Sequence, residues 1–287
     1  MIDLHLHTNM SDGSDAPIEL LEKAEQAGCL IFSVTDHDDL RSNLIILKMI
    51  GAGQYAARFI TGAEISSVFG ERNLHLLCYG FDTGAKSIRE LIAEGNRLRR
   101  VRVAALIDHL RSRHGIIIPD ADKTEIMTLT TPGKMHIADA ALKTGIKMTR
   151  AEFFSKYLDD MESREFKIPA ERVIDAAAAA GGVVSFAHPI EMQKEYGVGF
   201  SEIYNIAKKL KDRGLSAIEV YNSSHGEREV TEYAQIADKA GLLISGGSDY
   251  HGAKKPGINI GRLAAQSDAL CYERITILSK IKRRIYP

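Results

Sequence analysis

Residues 1–40, MIDLHLHTNMSDGSDAPIELLEKAEQAGCLIFSVTDHDDL, hold one complete unit of the architecture. An apolar, alternating stretch at 2–7 is followed by a helix pattern at 17–27, which Gly28 closes. A second apolar run at 30–35 then discharges into Asp36-His37-Asp38-Asp39. Glycine is favoured just past a helix because it enters the left-handed region without steric cost. Strand, helix, strand with short connections is the building unit of an α/β protein with a largely parallel sheet.

The same rhythm recurs further along. Strands are expected at 58–64, 74–80, 182–187, 216–220 and 242–246, and helices at 42–52, 170–180, 201–213 and 227–240, with Gly181, Gly214 and Gly241 as punctuation. Only the interval after the fourth strand departs from it, with a long helix over 85–113 and three shorter ones. This divides the chain into a discontinuous barrel, 1–82 and 166–287, and a helical insertion, 83–165. In the long helix Ile88, Leu91, Ile92, Leu98, Val101 and Ala105 follow helical spacing, and Arg97, Arg99, Arg100 and Arg102 are their polar complement. That basic run reads either as a solvated face or as a wall that attracts anions.

With 287 residues and 45% hydrophobic composition, the chain can bury a substantial core without staples. Lys+Arg (37) and Asp+Glu (38) nearly cancel, so no global field draws the protein to nucleic acid or an anionic membrane. Cys29, Cys78 and Cys271 are odd in number and form no C-x-x-C pattern, as expected of buried thiols in a reducing compartment. The amino terminus lacks the basic start and apolar stretch of a secretory signal, and no window supplies the roughly 20 apolar residues of a membrane span. A cytoplasmic protein without a membrane partner is the expectation.

Chemistry gathers at the ends of the apolar runs. Asp3, His5 and His7 alternate along the first strand, so its two-residue period projects them from one face. Ser11-Asp12-Gly13 forms either a plain Asx-type turn or one that aims a carboxylate back over the strand end. The second run ends in Asp36 and His37, the third in Glu64, and the fourth holds His75 near its start. Later runs end in His188-Pro189 and, through Gly246-Gly247-Ser248, in Asp249-Tyr250-His251. In a parallel barrel such residues converge on one rim, where catalytic groups lie. Six of the ten histidines stand on or beside apolar strands, which makes separately satisfied histidines a poor account. Imidazole and carboxylate without thiolate suit Zn, Mn or Fe in a catalytic rather than a structural site. Ser33, Ser185 and Ser248 lack a triad context, so no protein nucleophile is expected.

HLHTNMSDGS, VTDHDDL, GAEI, HLLCYGF, FAHP and GGSDYHG resemble, in this order, the motifs of the polymerase-and-histidinol-phosphatase (PHP) domain, over residues 2–82 and 166–265. The resemblance implies a distorted seven-stranded (β/α) barrel with an inserted helical subdomain and two or three divalent ions, Mn, Fe or Zn. By motif, His5, His7, Glu64 and Asp249 would hold the first ion, Glu64 with His75 and His188 the second, and Asp12, His37 and His251 the third. Asp3 and Asp36 match outer positions that orient the imidazoles. The implied reaction is phosphate ester hydrolysis by a hydroxide bridging the ions, with Glu64 and Asp249 in catalytic positions.

The helical insertion resembles the branch that contains nucleotide phosphatases, 5′-to-3′ exoribonucleases and cyclic phosphoribosyl phosphate hydrolases. Where nucleotide-handling relatives carry arginine and proline before histidine-isoleucine-alanine, this chain has Pro132-Gly133-Lys134-Met135-His136-Ile137-Ala138. Lys134 is either a phosphate-binding point charge or an exposed lysine opening a helix, and His136 either a ligand contact or a packing histidine. His225 is a phosphate contact, a proton donor to the leaving group and hence catalytic, or a surface turn residue. The expected substrate is a small phosphate ester (nucleotide, phosphosugar or cyclic phosphate diester) carrying two phosphates. The alternatives are a 5′-to-3′ exoribonuclease on short oligonucleotides and a non-catalytic PHP metal-binding module. The sequence leaves the oligomeric state open.

Overall fold

The structure is a computed structural model that describes residues 1–52, 55–159, 161, 164–262, 272–281 and 285–286. Cys271 lies outside the described residues, while Cys29 and Cys78 are buried free thiols. Two compact units emerge, Met1–Ile92 with Ile168–Pro287, and Ala93–Lys167.

The first unit opens with β1 (Ile2–Leu6), α1 (Pro17–Gln26), β2 (Ile31–Val34), α2 (Arg41–Ile50), β3 (Arg58–Phe69) and β4 (Arg72–Tyr79). The long α3 (Lys86–His114) leads into α4 (Asp120–Thr128), α5 (Lys134–Lys143) and α6 (Arg150–Tyr157). The chain returns through β5 (Ile168–Pro169), α7 (Ala170–Ala179), β6 (Val183–Phe186), α8 (Pro189–Tyr196), α9 (Phe200–Asp212), β7 (Ala217–Asn222), α10 (Glu227–Ala240) and β8 (Leu243–Gly247). Short α11 (Leu278–Ile281) and β9 (Ile285–Tyr286) follow.

Seven strands run β1-β2-β3-β4-β6-β7-β8, with β5 and β9 added onto β3. The path nearly closes into a barrel, because beyond β8 the Asp249 amide donates to the His5 carbonyl at 2.9 Å and the His7 amide to the Tyr250 carbonyl at 2.9 Å. Gly247 makes this closure possible: a Cβ there would meet the His5 amide nitrogen at 2.3 Å. The structure is thus a distorted (β/α) barrel of mixed strands with helices around it.

Two ladders depart from the expected parallel order. β3 pairs parallel with β2 at first, then continues beyond 64 and folds back on β4 through a two-residue turn at Gly70, whose φ is +57°. Such a turn joins antiparallel strands only. The β4–β6 ladder is antiparallel as well. Residues 65–69 alternate buried and part-exposed, ISSVF, which hid the strand's length from a search for apolar runs. Because β4 runs against the others, its start, which carries His75, faces the same rim as their ends.

The opposite end is apolar. Ile2, Leu4, Ile31, Ile60, Leu77, Tyr79 and Ala217 cluster there with Ile275, Ile277 and Leu278. Leu20, Leu21 and Ala24 of α1 and Ile46 of α2 pack with Phe32, Val34 and Phe59 as the layer between sheet and helices. Each large side chain fully buried in these clusters contributes about 1.5–3 kcal/mol.

In the second unit Val103, Leu106, Leu110, Ile137, Ala141, Phe153 and Leu158 form a separate core. Along α3 the expected stripe holds at Ile88, Leu91 and Ile92, which are buried, and shifts further on. Val101 is 45% exposed, whereas Arg99 is buried on the stripe shared with Val103, Leu106 and Leu110. Arg100 donates to the Met127 carbonyl, so the arginine run is not one uniform solvated face.

Candidate metal centre

Strand ends bring nine ionisable side chains to one rim. Glu64, 1% exposed at the middle of β3, is the hub. Its Oε1 lies 2.8 Å from His75 Nδ1 and 2.9 Å from His188 Nε2. Oε2 lies 3.2 Å from His5 Nε2, 3.1 Å from His7 Nε2 and 3.3 Å from His37 Nδ1. A single carboxylate therefore faces five imidazoles, two on one oxygen and three on the other.

Asp249 adds a second carboxylate above β1. Its Oδ1 stands 3.5 Å from His5 Nε2, 3.4 Å from His7 Nε2 and 3.4 Å from His251 Nδ1. Asp12 adds a third, 3.6 Å from His7 Nδ1, 3.6 Å from His37 Nε2 and 3.3 Å from His251 Nε2. The structure thus brings together His5, His7, Glu64 and Asp249, then Glu64, His75 and His188, then Asp12, His37 and His251. His7 joins the third group too, and Glu191 joins His75 and His188.

Burial and charge decide the protonation here. Burial alone pushes the Glu64 carboxyl up, but the rings of His37, His75 and His5 overcome it and hold the group well below the usual carboxylate range. Asp12 and Asp249 are held down in the same way, Asp12 chiefly by His37 and Asp249 chiefly by Lys255. Burial pulls His37 well below the ordinary imidazole value, while neighbouring carboxylates outweigh burial at His7 and His188 and raise each to about 9.

The rings are oriented from behind. Glu219, fully buried on β7, accepts from His5 Nδ1 at 2.9 Å, from the His188 amide at 2.7 Å and from Asn222 Nδ2 at 3.1 Å. His5 Nε2 is thereby turned toward Glu64. Asp3 and Asp36 do not touch imidazoles as expected. Asp3 accepts from the amides of His5, Ser248 and Gly261 at 3.2, 2.9 and 2.7 Å. Asp36 accepts from Thr8 N, Thr8 Oγ1 and Ser11 Oγ at 2.8, 2.6 and 2.6 Å, which fixes the turn carrying Asp12. Both carboxylates act on backbone and loop.

His225 is not a surface turn residue. It is 1% exposed, lies with its ring tilted 58° against Tyr233 at a centroid distance of 4.8 Å, and donates from Nδ1 to the Val220 carbonyl at 2.9 Å. Burial holds its pKa below the ordinary value, so the neutral ring presents a lone pair, not a proton, at Nε2. In the helical unit Lys134 Nζ donates to Asp159 at 2.7 Å, and His136 Nδ1 accepts from the Gly133 amide at 3.1 Å, as a first-turn helix residue.

Glu219, Glu191 and Lys255 were missed by sequence reasoning. An acid inside the buried strand AIEVYN was the signal for Glu219. Glu191 reads in sequence as an ordinary acid in the first turn of α8.

The donor set fits divalent cations. His7 Nδ1 and Nε2, His37 Nδ1 and His75 Nδ1 are buried without an acceptable hydrogen bond, although carboxylate oxygens lie close by. They converge on common points instead of pairing off, which is how ligand atoms are disposed around ions. No described helix is long and apolar enough to cross a membrane.

The chain is similar over most of its length to several known proteins. The 5′-3′ exoribonuclease Rnm of Salmonella typhimurium is 27% identical over 268 residues, covering 91% of this chain and 88% of that protein. The 3′,5′-nucleoside bisphosphate phosphatase of Chromobacterium violaceum is 27% identical over 273 residues, covering 91% and 90%. A solved amidohydrolase structure from C. violaceum superposes with a TM-score of 0.82 at 24% identity, covering 99% of this chain and 96% of the other, and supports the fold. The model of the PHP domain matches residues 3–243, and the chain belongs to the PHP domain family.

Proposed function

We propose that this protein is a metal-dependent phosphoesterase that hydrolyses a small organic phosphate, with preference for a substrate carrying two phosphate groups. The observation that carries the reading is Glu64, one buried carboxylate shared by five imidazoles, because so many buried donor atoms converging on one carboxylate form a ready set of ligands for cations. In this reading His5, His7, Glu64 and Asp249 would hold one ion, Glu64, His75 and His188 a second, and Asp12, His37 and His251 a third, as their mutual distances allow. Two or three ions of Mn, Fe or Zn suit these donors. Bound there, they would lower the pKa of a water and take up charge on the phosphoryl oxygens.

The chain's own residues set the geometry. Glu64 spreads its two oxygens over two groups and so fixes their separation. Glu219 holds the His5 ring in one tautomer, with the proton on Nδ1 and the lone pair on Nε2. Asp12 is aimed by the turn that Asp36 fixes. No serine or cysteine is needed as a nucleophile.

Lys134 and His136 are the residues proposed to take the second phosphate, and the nucleoside bisphosphate phosphatase relative supports a substrate of that class. The pairing of Lys134 with Asp159 means that a phosphate must share or displace that carboxylate. The exoribonuclease relative supports a second reading, removal of nucleotides from short 5′-phosphorylated RNA.

The test is a panel of monoesters, cyclic phosphates, nucleoside 3′,5′-bisphosphates and 5′-phosphorylated oligonucleotides, offered to protein loaded in turn with Mn, Fe and Zn. Expected are phosphate release from bisphosphates above monoesters, loss of turnover on chelation, and its return with metal. Full turnover in demetallated protein would defeat the reading, and nucleotide release from RNA above all other substrates would select the second.

A further inference from the structure

Lys255 follows the short turn Gly252–Lys254, and its Nζ lies 2.6 Å from Asp249 Oδ2. The other oxygen of that carboxylate faces His5 and His7. Lys255 therefore stands across a single carboxylate from the first proposed ion position. Its side chain is 39% exposed while Asp249 is 9% exposed, so the lysine reaches in from the mouth. The ammonium has three donors, and Asp249 is its one hydrogen-bond partner among the described residues.

Stability alone does not call for this placement, since taking the buried Asp249 carboxylate out of water offsets much of what the ion pair gains. Metal binding does not explain it either. A fixed positive charge beside a site for cations repels them and takes part of the Asp249 charge for itself. The arrangement becomes favourable once an anion arrives, because two Lys255 N–H groups remain to meet an oxygen of a phosphoryl group bound beside Asp249.

We propose that Lys255 is a substrate-binding residue whose ammonium holds a non-bridging oxygen of the phosphoryl group being hydrolysed, while Asp249 anchors the ammonium at the lip of the centre. This rests on the phosphoesterase reading. The ligand class is a phosphomonoester or inorganic phosphate, whose compact charge suits a point cation.

The test titrates metal-loaded wild type, Lys255→Met and Lys255→Arg with inorganic phosphate by calorimetry, with metal content measured on the same samples. Methionine keeps the length and removes the charge. Lys255→Met is expected to bind phosphate about 10- to 100-fold more weakly at unchanged or higher metal content, as loss of a charged hydrogen bond does. Its KM for a monoester should rise by a similar factor with a smaller change in kcat, and Lys255→Arg should regain most of the phosphate affinity. Equal phosphate binding by wild type and Lys255→Met would overturn the proposal. So would phosphate binding that recovers fully when Lys255→Met is saturated with metal, since Lys255 would then only orient Asp249. Wild type that binds phosphate through Lys255 yet hydrolyses no ester would defeat the phosphoesterase reading alone, whereas metal-loaded wild type that binds no phosphate would defeat both.

Discussion

In the barrel unit Asp3, His5, His7, Asp36, Glu64, Glu219 and Asp249 are all buried, most of them completely, whereas in the helical unit the buried polar side chains among the described residues are Arg99 and Thr131. Other charges of the helical unit pair at or near its surface, Lys134 with Asp159, Arg150 with Asp139 and Arg111 with Asp108. Its core of Val103, Leu106, Ile137 and Phe153 is apolar. Removing a charge from water costs several kcal/mol unless something compensates it, so a fold tolerates a buried ionic cluster only where a ligand or counter-ion completes it. The helical unit follows the rule for stability. The rim departs from it, and the departure marks where chemistry is done.

If that contrast is right, the largest losses must come from the rim. Glu64→Gln should lower kcat/KM by at least about 100-fold and reduce bound metal, while circular dichroism reports an intact fold, because a carboxamide offers one good acceptor where two groups need a carboxylate oxygen each. Wild-type turnover with full metal content in that variant would break the comparison at its centre.

Glu219→Gln should follow, with metal affinity reduced about 10- to 100-fold. His5 Nδ1, the His188 amide and Asn222 Nδ2 all donate to this side chain, and an amide has one oxygen for them. Metal titration measures the effect, and a change of less than twofold would mean that His5 needs no support from behind.

A smaller and more selective effect is expected in the helical unit. Lys134→Ala should weaken turnover of a nucleoside bisphosphate by about 10-fold, through loss of one charge-assisted contact, and leave a simple monoester unchanged. Equal losses on both substrates would remove Lys134 from phosphate binding.

The smallest effect sharpens the comparison from outside the centre. Asp15 accepts from Lys23 at 2.6 Å and from Tyr250 at 2.7 Å; burial raises its pKa, and these partners overcome that and lower it. A depressed carboxyl pKa adds stability above the unfolded value of about 3.9, and that stability is lost as pH falls through the folded value. With Lys23 46% exposed, the gain is at most about 1 kcal/mol. Urea unfolding of metal-free wild type and Asp15→Asn should differ by that amount near neutral pH and converge below about pH 4. A difference that persists in acid would assign the effect to packing.

Much of the rim was legible because strand period and strand ends are local properties. Asp3, His5 and His7 alternate, and Glu64, His188 and Asp249 sit where apolar runs carry them. Much of what stayed hidden depends on tertiary contacts that no local pattern announces. The largely parallel order breaks at β4 because a two-residue turn at Gly70 reverses the chain, and that reversal is what lifts His75 to the rim. Glu219 and Lys255 acquire their roles from partners 214 and 6 residues away, and a lone acid or lysine carries no such label. The later part of the buried face of α3 was misplaced because an arginine was assumed to face water, whereas Arg99 follows the stripe of Val103 and Leu106.

Among the described residues, three other than glycine adopt left-handed backbone, Asp38 at φ +48°, His188 at +21° and Asp249 at +57°, and all three lie just beyond barrel strands. Each such conformation costs on the order of 1 kcal/mol. Glycine would remove that cost, but at His188 and Asp249 it would also remove the imidazole or carboxylate that the site requires. Natural selection for activity therefore holds this barrel below the stability its own backbone allows. Variants chosen only for heat resistance should accumulate changes at these positions and lose turnover as they gain robustness.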